Sequence, residues 1–118
     1  MTSLPHLSPA VIAGDQIFLS GQLAFGPDGT ISGDIAAQTI CCLERLETVL
    51  VEHGLERSAI VKVSVWLTDR ASFAAFNQAY ALFFGEQRPA RSTVISGLAL
   101  DGALVEIDAV AVRRAPRP

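Results

Sequence analysis

Two of the chain's 118 residues are cysteine, Cys41 and Cys42, and they are neighbours. Adjacent cysteines rarely meet disulfide geometry with each other, so no disulfide framework exists. With no further Cys or His close by, they read as small apolar side chains of a helix and not as metal ligands. Positive charge is scarce too. Nine Lys and Arg face twelve Asp and Glu, a net charge of −3 with a pI near 5.2, which argues against general affinity for phosphate backbones or anionic lipid. Arg113, Arg114 and Arg117, with Pro116 and Pro118 around them, read as a solvated tail and not a nucleic-acid patch.

Long apolar runs are missing as well. Nothing approaches the ~20 residues needed to span a bilayer, and no positive start leads into an apolar stretch, so the expectation is a soluble protein of the cytoplasm. Also absent are a Gly-rich phosphate loop, HExxH, CxxC and Gly-x-Ser-x-Gly, which leaves nucleotide, zinc and serine-hydrolase readings without support. The two histidines, His6 near the start and His53 at a helix end, read as a solvated and a structural residue.

Half of the residues are hydrophobic, enough for a core without staples, and the length suits a single domain over 1–118 with residues 1–9 and 114–118 flexible. Residues 16–23 read as a strand entered through Gly14-Asp15. The turn Pro27-Asp28-Gly29-Thr30 follows, with 30–32 expected to return as a hairpin. Asp34 is placed to cap a helix over 35–53 that stops at Gly54. Residues 60–68 alternate Val61, Val63, Val65 and Leu67 with Lys62, Ser64 and Trp66, a period of two that marks a strand. A second helix is expected from about Asp69, carrying Phe73, Phe76, Tyr80 and Phe83 or Phe84 on one stripe to Gly85. Strands at 91–96 and 103–112 complete the order β-β-α-β-α-β-β.

Strand, helix and strand from 60 to 96 suggest a β-α-β crossover, and the chain ends suggest antiparallel pairing, which together give an α+β fold with a mixed sheet. One parity of the strands is aliphatic (Ile17, Leu19, the 61–67 series, Val105, Ile107, Ala109, Ala111) and takes both helices. The opposite parity holds Phe18, Ser20, Lys62, Ser64, Trp66, Leu104, Glu106, Asp108 and Val110, too apolar for open solvent and too polar for a dry core. A second copy of the chain is the expected cover. For chemistry the pattern leaves Arg91 and Glu106, either as parts of one site or as a structural ion pair.

Ser20-Gly21-Gln22, Val63-Ser64-Val65-Trp66-Leu67-Thr68-Asp69, Phe73-Ala74-Ala75-Phe76-Asn77-Gln78-Ala79-Tyr80, Phe84-Gly85, Pro89-Ala90-Arg91-Ser92-Thr93-Val94 and Val105-Glu106-Ile107-Asp108-Ala109 together resemble the RidA (YjgF) family of reactive-intermediate deaminases, over residues 7 to 114 in one register. The most specific part is Pro-Ala-Arg-Ser with a Glu fifteen residues on. The resemblance implies a chorismate-mutase-like fold and a homotrimer with active sites in clefts between subunits. It implies hydrolysis of 2-enamine or 2-imino acids to 2-keto acids and ammonia, with no cofactor and no metal. By position it assigns the carboxylate-binding arginine to Arg91, the general acid–base to Glu106, and substrate contacts to Ser20, Gly21, Thr93 and, across the interface, Phe73.

Relatives commonly carry Pro-Tyr-Ser near the start, where this chain has Pro5-His6-Leu7-Ser8. Leu7 therefore takes the place of a hydrogen-bonding phenol unless His6 substitutes for it. Alternatives left open are a deaminase for another enamine, of aminomuconate or aminoacrylate type, and a non-catalytic trimer that binds carboxylates. Nucleic-acid and membrane partners are not expected.

Overall fold

The computed structural model describes residues 5–114. It contains β1 (Ala10–Ala13), β2 (Gln16–Gln22), α1 (Ile35–Glu52), β3 (Ile60–Leu67), α2 (Phe73–Phe84), β4 (Ala90–Ile95) and β5 (Val105–Val112). One five-stranded sheet runs β1-β2-β5-β3-β4. β3 and β4 pair in parallel and every other pair is antiparallel. The mixed sheet and two helices agree with the expected α+β fold.

Asp34 caps α1 as its position suggests: its Oδ1 accepts from Ala37 N at 2.9 Å, satisfying one free donor of the first turn. Gln38, Thr39, Cys42, Leu43, Leu46, Val49 and Leu50 are buried along one stripe, against Ile17, Leu19, Val63, Val65, Val105 and Ile107 of the sheet. Burial raises the Cys42 thiol to about 12, so it remains a neutral packing group. Gln38 is fully buried and bridges three backbone groups: its Nε2 donates to Gly33 O and Gly102 O, and its Oε1 accepts from Leu104 N.

Four expectations need correction. The hairpin partner of β2 is β1, through the turn at Gly14 (φ +61°), and not 30–32, which contributes one bridge, Phe25 to Ile31. Three residues after a tight turn are too few for a ladder, whereas 10–13 offer four. α2 begins at Phe73 after a 3-10 turn at Arg70–Ser72, because Asp69 spends its carboxylate on Ala71 N inside that turn. Val61 is an extra residue where the β3/β5 register slips between Ile60 and Lys62, so Ile60 replaces it on the inner face. Finally, Arg113 is no free tail residue: its N–H donates to Asp15 O and its Nη2 to His53 O, each at 2.7 Å. The guanidinium thus satisfies a carbonyl at the end of α1.

The expected flexible ends fall partly on 1–4 and 115–118, and with them Pro116, Arg117 and Pro118, outside the described residues. Within the described part, Ser8 and Pro9 are tied to β2 by Ser20. No helix among the described residues is long and apolar enough to cross a membrane.

Candidate functional site

In paired strands facing residues share a side of the sheet, so register decides where each candidate points. Arg91 lies opposite Val63 and Thr93 opposite Val65. Both valines are buried under the helices, which places Arg91 and Thr93 on the helix side of the edge strand β4. Glu106 lies opposite Trp66, between the buried Val105 and Ile107, and therefore points out of the other face. Within one protomer the sheet separates the two. Among the described residues the one ion pair is Arg57–Glu47, so the alternative of a structural Arg91–Glu106 pair is not realised in the chain.

Arg91 meets α2 along its helical stripe. Its Nη2 donates to Asn77 Oδ1 at 2.9 Å, and its Cζ lies 4.8 Å from the ring centre of Tyr80, 5.2 Å from Phe76 and 6.0 Å from Phe73. Aromatic faces attract a guanidinium through their quadrupole without neutralising it. Burial pushes the Tyr80 phenol up to about 12, against the opposing effect of Arg91, so Tyr80 brings no negative charge. The Tyr80 hydroxyl and Thr93 Oγ1 are both buried without a hydrogen-bond partner. A cleft of about 340 Å³ opens beside Arg91, with Tyr80, Phe84, Arg88 and Pro89 on its walls. Phe73, expected to reach across an interface, stands half exposed on the same chain's arginine side.

The second group of candidates surrounds Glu106. The β2/β5 register slips between Leu19 and Gln22, so Ser20 and Gly21 together oppose Asp108, a bulge that turns both toward the outer face. A Cβ on Gly21 would overlap Glu106 Oε2. The Glu106 carboxyl is raised above its ordinary value, first by desolvation and then by repulsion from Asp108. Asp108 is raised as well: desolvation outweighs its bonds from Ser64 and the nearby Lys62.

Ser20 Oγ donates to Ser8 O at 2.5 Å, and Ser20 N donates to Pro9 O at 3.0 Å. What its hydroxyl can offer a ligand is therefore an acceptor. This latch carries the segment with Leu7, which is 59% exposed, past the Ser20 end of the outer face.

The candidates thus form two half-sites: Arg91 and Thr93 with Asn77 and Phe73 on the helix side, and Glu106, Gly21 and Ser20 on the other. Asn77 had no role in the sequence reading, although its position four residues after Phe73 put it on the stripe. A cleft of about 540 Å³ beside Gly54, Glu56, Ser58 and Arg114 contains none of these groups. The outer face carries exposed Val11, Phe18 and Val94 at 55%, 43% and 47%, an apolar surface interrupted by the carboxylates.

Residues 1–113 match the family model described as Endoribonuclease L-PSP. Protein DfrA of Myxococcus xanthus is 40% identical over 104 residues, 86% of this chain and 79% of that protein. A RutC family protein of Pyrococcus horikoshii is 38% identical over 109 residues, 90% of this chain and 86% of that one. Among solved structures, E. coli TdcF with bound serine superposes with a TM-score of 0.88 at 33% identity, covering 95% of this chain and 91% of that chain. The E. coli YjgF gene product gives 0.88 at 34% identity, with the same 95% and 91% coverage.

Proposed function

The chain belongs to the Endoribonuclease L-PSP family, that of the YjgF and Rid proteins, and on that premise we propose that it hydrolyses small 2-imino and 2-enamino acids to 2-keto acids and ammonia. The working unit is a homotrimer in which the Arg91 half-site of one protomer meets the Glu106 half-site of the next. One observation carries this reading: an arginine that has no acidic partner among the described residues and a carboxylate raised by desolvation point out of opposite faces of one sheet. Only association of copies can join them, and the apolar surface at Val11, Phe18 and Val94 supplies a reason to associate.

Arg91 holds the substrate carboxylate through two parallel N–H···O bonds, which fixes the C=N carbon against the opposite half-site. Glu106 takes a proton from a water molecule as the water oxygen bonds to that carbon, giving a carbinolamine. It returns that proton to nitrogen, then carries the carbinolamine hydroxyl proton to the same nitrogen as the C–N bond breaks and the C=O bond forms, so that ammonia and the keto acid leave. A carboxyl raised toward the working pH suits these transfers. An enamine enters the same path after protonation at its carbon terminus. Leu7 and Phe73 supply apolar walls, which favour substrates with short aliphatic side chains. Two free thiols suit a reducing cytosol.

A carboxylate binder without catalysis is the second reading; bound serine in TdcF is the observation that favours it. The family's name suggests RNA cleavage, against which stands the net charge of −3.

Complementation separates these readings. Arg91→Ala and Glu106→Gln chains, each inactive alone in an imine-trapping assay with semicarbazide, are co-refolded in equal amounts. Each mixed trimer then holds one intact site of three, and random assembly restores about a quarter of wild-type activity. No recovery from mixed trimers overturns the shared-site reading, and a wild type that leaves trapping unchanged overturns deamination of that imine.

A further inference from the structure

We propose that Asn77 is a positioning residue that keeps Arg91 open to substrate by being a neutral acceptor where a carboxylate would close it; this rests on the carboxylate-binding part of the proposed function. Arg91 leaves β4 on the helix side, and no carboxylate among the described residues lies against it: it meets the rings of Phe73, Phe76 and Tyr80 and the amide oxygen of Asn77 at 2.9 Å, while Arg88 shares the wall of the adjoining cleft. Phe73, Phe76, Asn77 and Tyr80 share one face of α2, at spacings of three and four residues. The rings set the plane of the guanidinium, and Asn77 fixes its rotation through one of its five N–H groups. The remaining donors stay available for a two-point carboxylate contact.

An aspartate at 77 has the same shape and makes a stronger bond to Arg91. It also puts a full negative charge beside the anion that the site must bind, in a part-buried setting that screens it less than open water does. Two variants therefore separate a steric or bonding role from a charge role. Asn77→Asp keeps the hydrogen bond and adds charge, whereas Asn77→Leu loses the bond and adds none.

Pyruvate, the keto acid from the alanine-derived imine, is titrated into wild type and both variants by calorimetry, alongside steady-state kinetics on that imine. Asn77→Asp is expected to weaken pyruvate binding at least tenfold and to raise KM equally, with kcat within about threefold of wild type. Asn77→Leu is expected to weaken binding two- to fivefold. Equal affinity in wild type and Asn77→Asp overturns the proposal, as does a larger loss in Asn77→Leu than in Asn77→Asp. An Asn77→Leu protein that binds as wild type does overturns the positioning role even if Asn77→Asp fails to fold. Because binding is read without turnover, a wild type that binds pyruvate but hydrolyses no imine overturns the deaminase reading alone.

Discussion

Gly21 and Glu106 face each other across the β2/β5 bulge so closely that a methyl group on Gly21 would overlap the carboxylate oxygen Oε2. The backbone at Gly21 has no left-handed φ, so glycine is required there by space and not by conformation. The colliding atom is the far end of a flexible side chain. Gly21→Ala should therefore fold and assemble, moving its melting temperature by no more than a few degrees, while Glu106 swings out of place. We expect kcat to fall at least tenfold; kinetics beside a thermal melt will check it.

Glu106→Gln tests the proposed acid–base group and its electrostatic cost together. The folded-state pKa of Glu106 lies above its ordinary value, so its stabilising contribution is complete below the unfolded pKa and is lost as pH rises through the folded one. In a single protomer the side chain ionised at neutral pH works against the fold, and glutamine relieves that; in the proposed trimer the neighbour's Arg91 faces the same carboxylate and offsets it. At a dilution that dissociates the copies the variant should melt higher than wild type at pH 7, with the difference vanishing toward pH 4, while kcat of the assembled variant drops about 100-fold or more. A variant less stable at pH 7, or one whose advantage persists in acid, would contradict the assignment.

Arg91→Lys retains the charge but not the fork. An ammonium group can sit against the same three rings, yet it offers a point charge instead of two parallel donors. KM should rise tenfold or more, and pyruvate affinity should weaken in parallel, with secondary structure by circular dichroism unchanged. Retention of wild-type KM would show that attraction alone suffices and that the two-point contact is not used.

Much of this architecture is legible in the sequence because burial imposes a period. β3 and β5 alternate, α1 carries a stripe between Asp34 and Gly54, and α2 is too aromatic to stand free. β1 escapes because Ala10-Val11-Ile12-Ala13 is apolar throughout and alternates with nothing. The bulges at Val61 and at Ser20-Gly21 escape because an inserted residue is invisible until the partner strand supplies the count.

The site is legible in composition but not in arrangement. Arg91 and Glu106 stand out by type, yet β4 alternates Arg91, Thr93 and Ile95 with Ser92 and Val94, and neither set is apolar enough to announce its face. The pairing of Arg91 with Val63 decides it. Asn77 passes unnoticed because an amide on a helix acquires meaning only from the cation it touches.

If the proposed site is shared between copies, the sheet that stands between Arg91 and Glu106 leaves a lone chain chemically idle. On that proposal dilution silences the protein without unfolding it, and output per chain follows abundance.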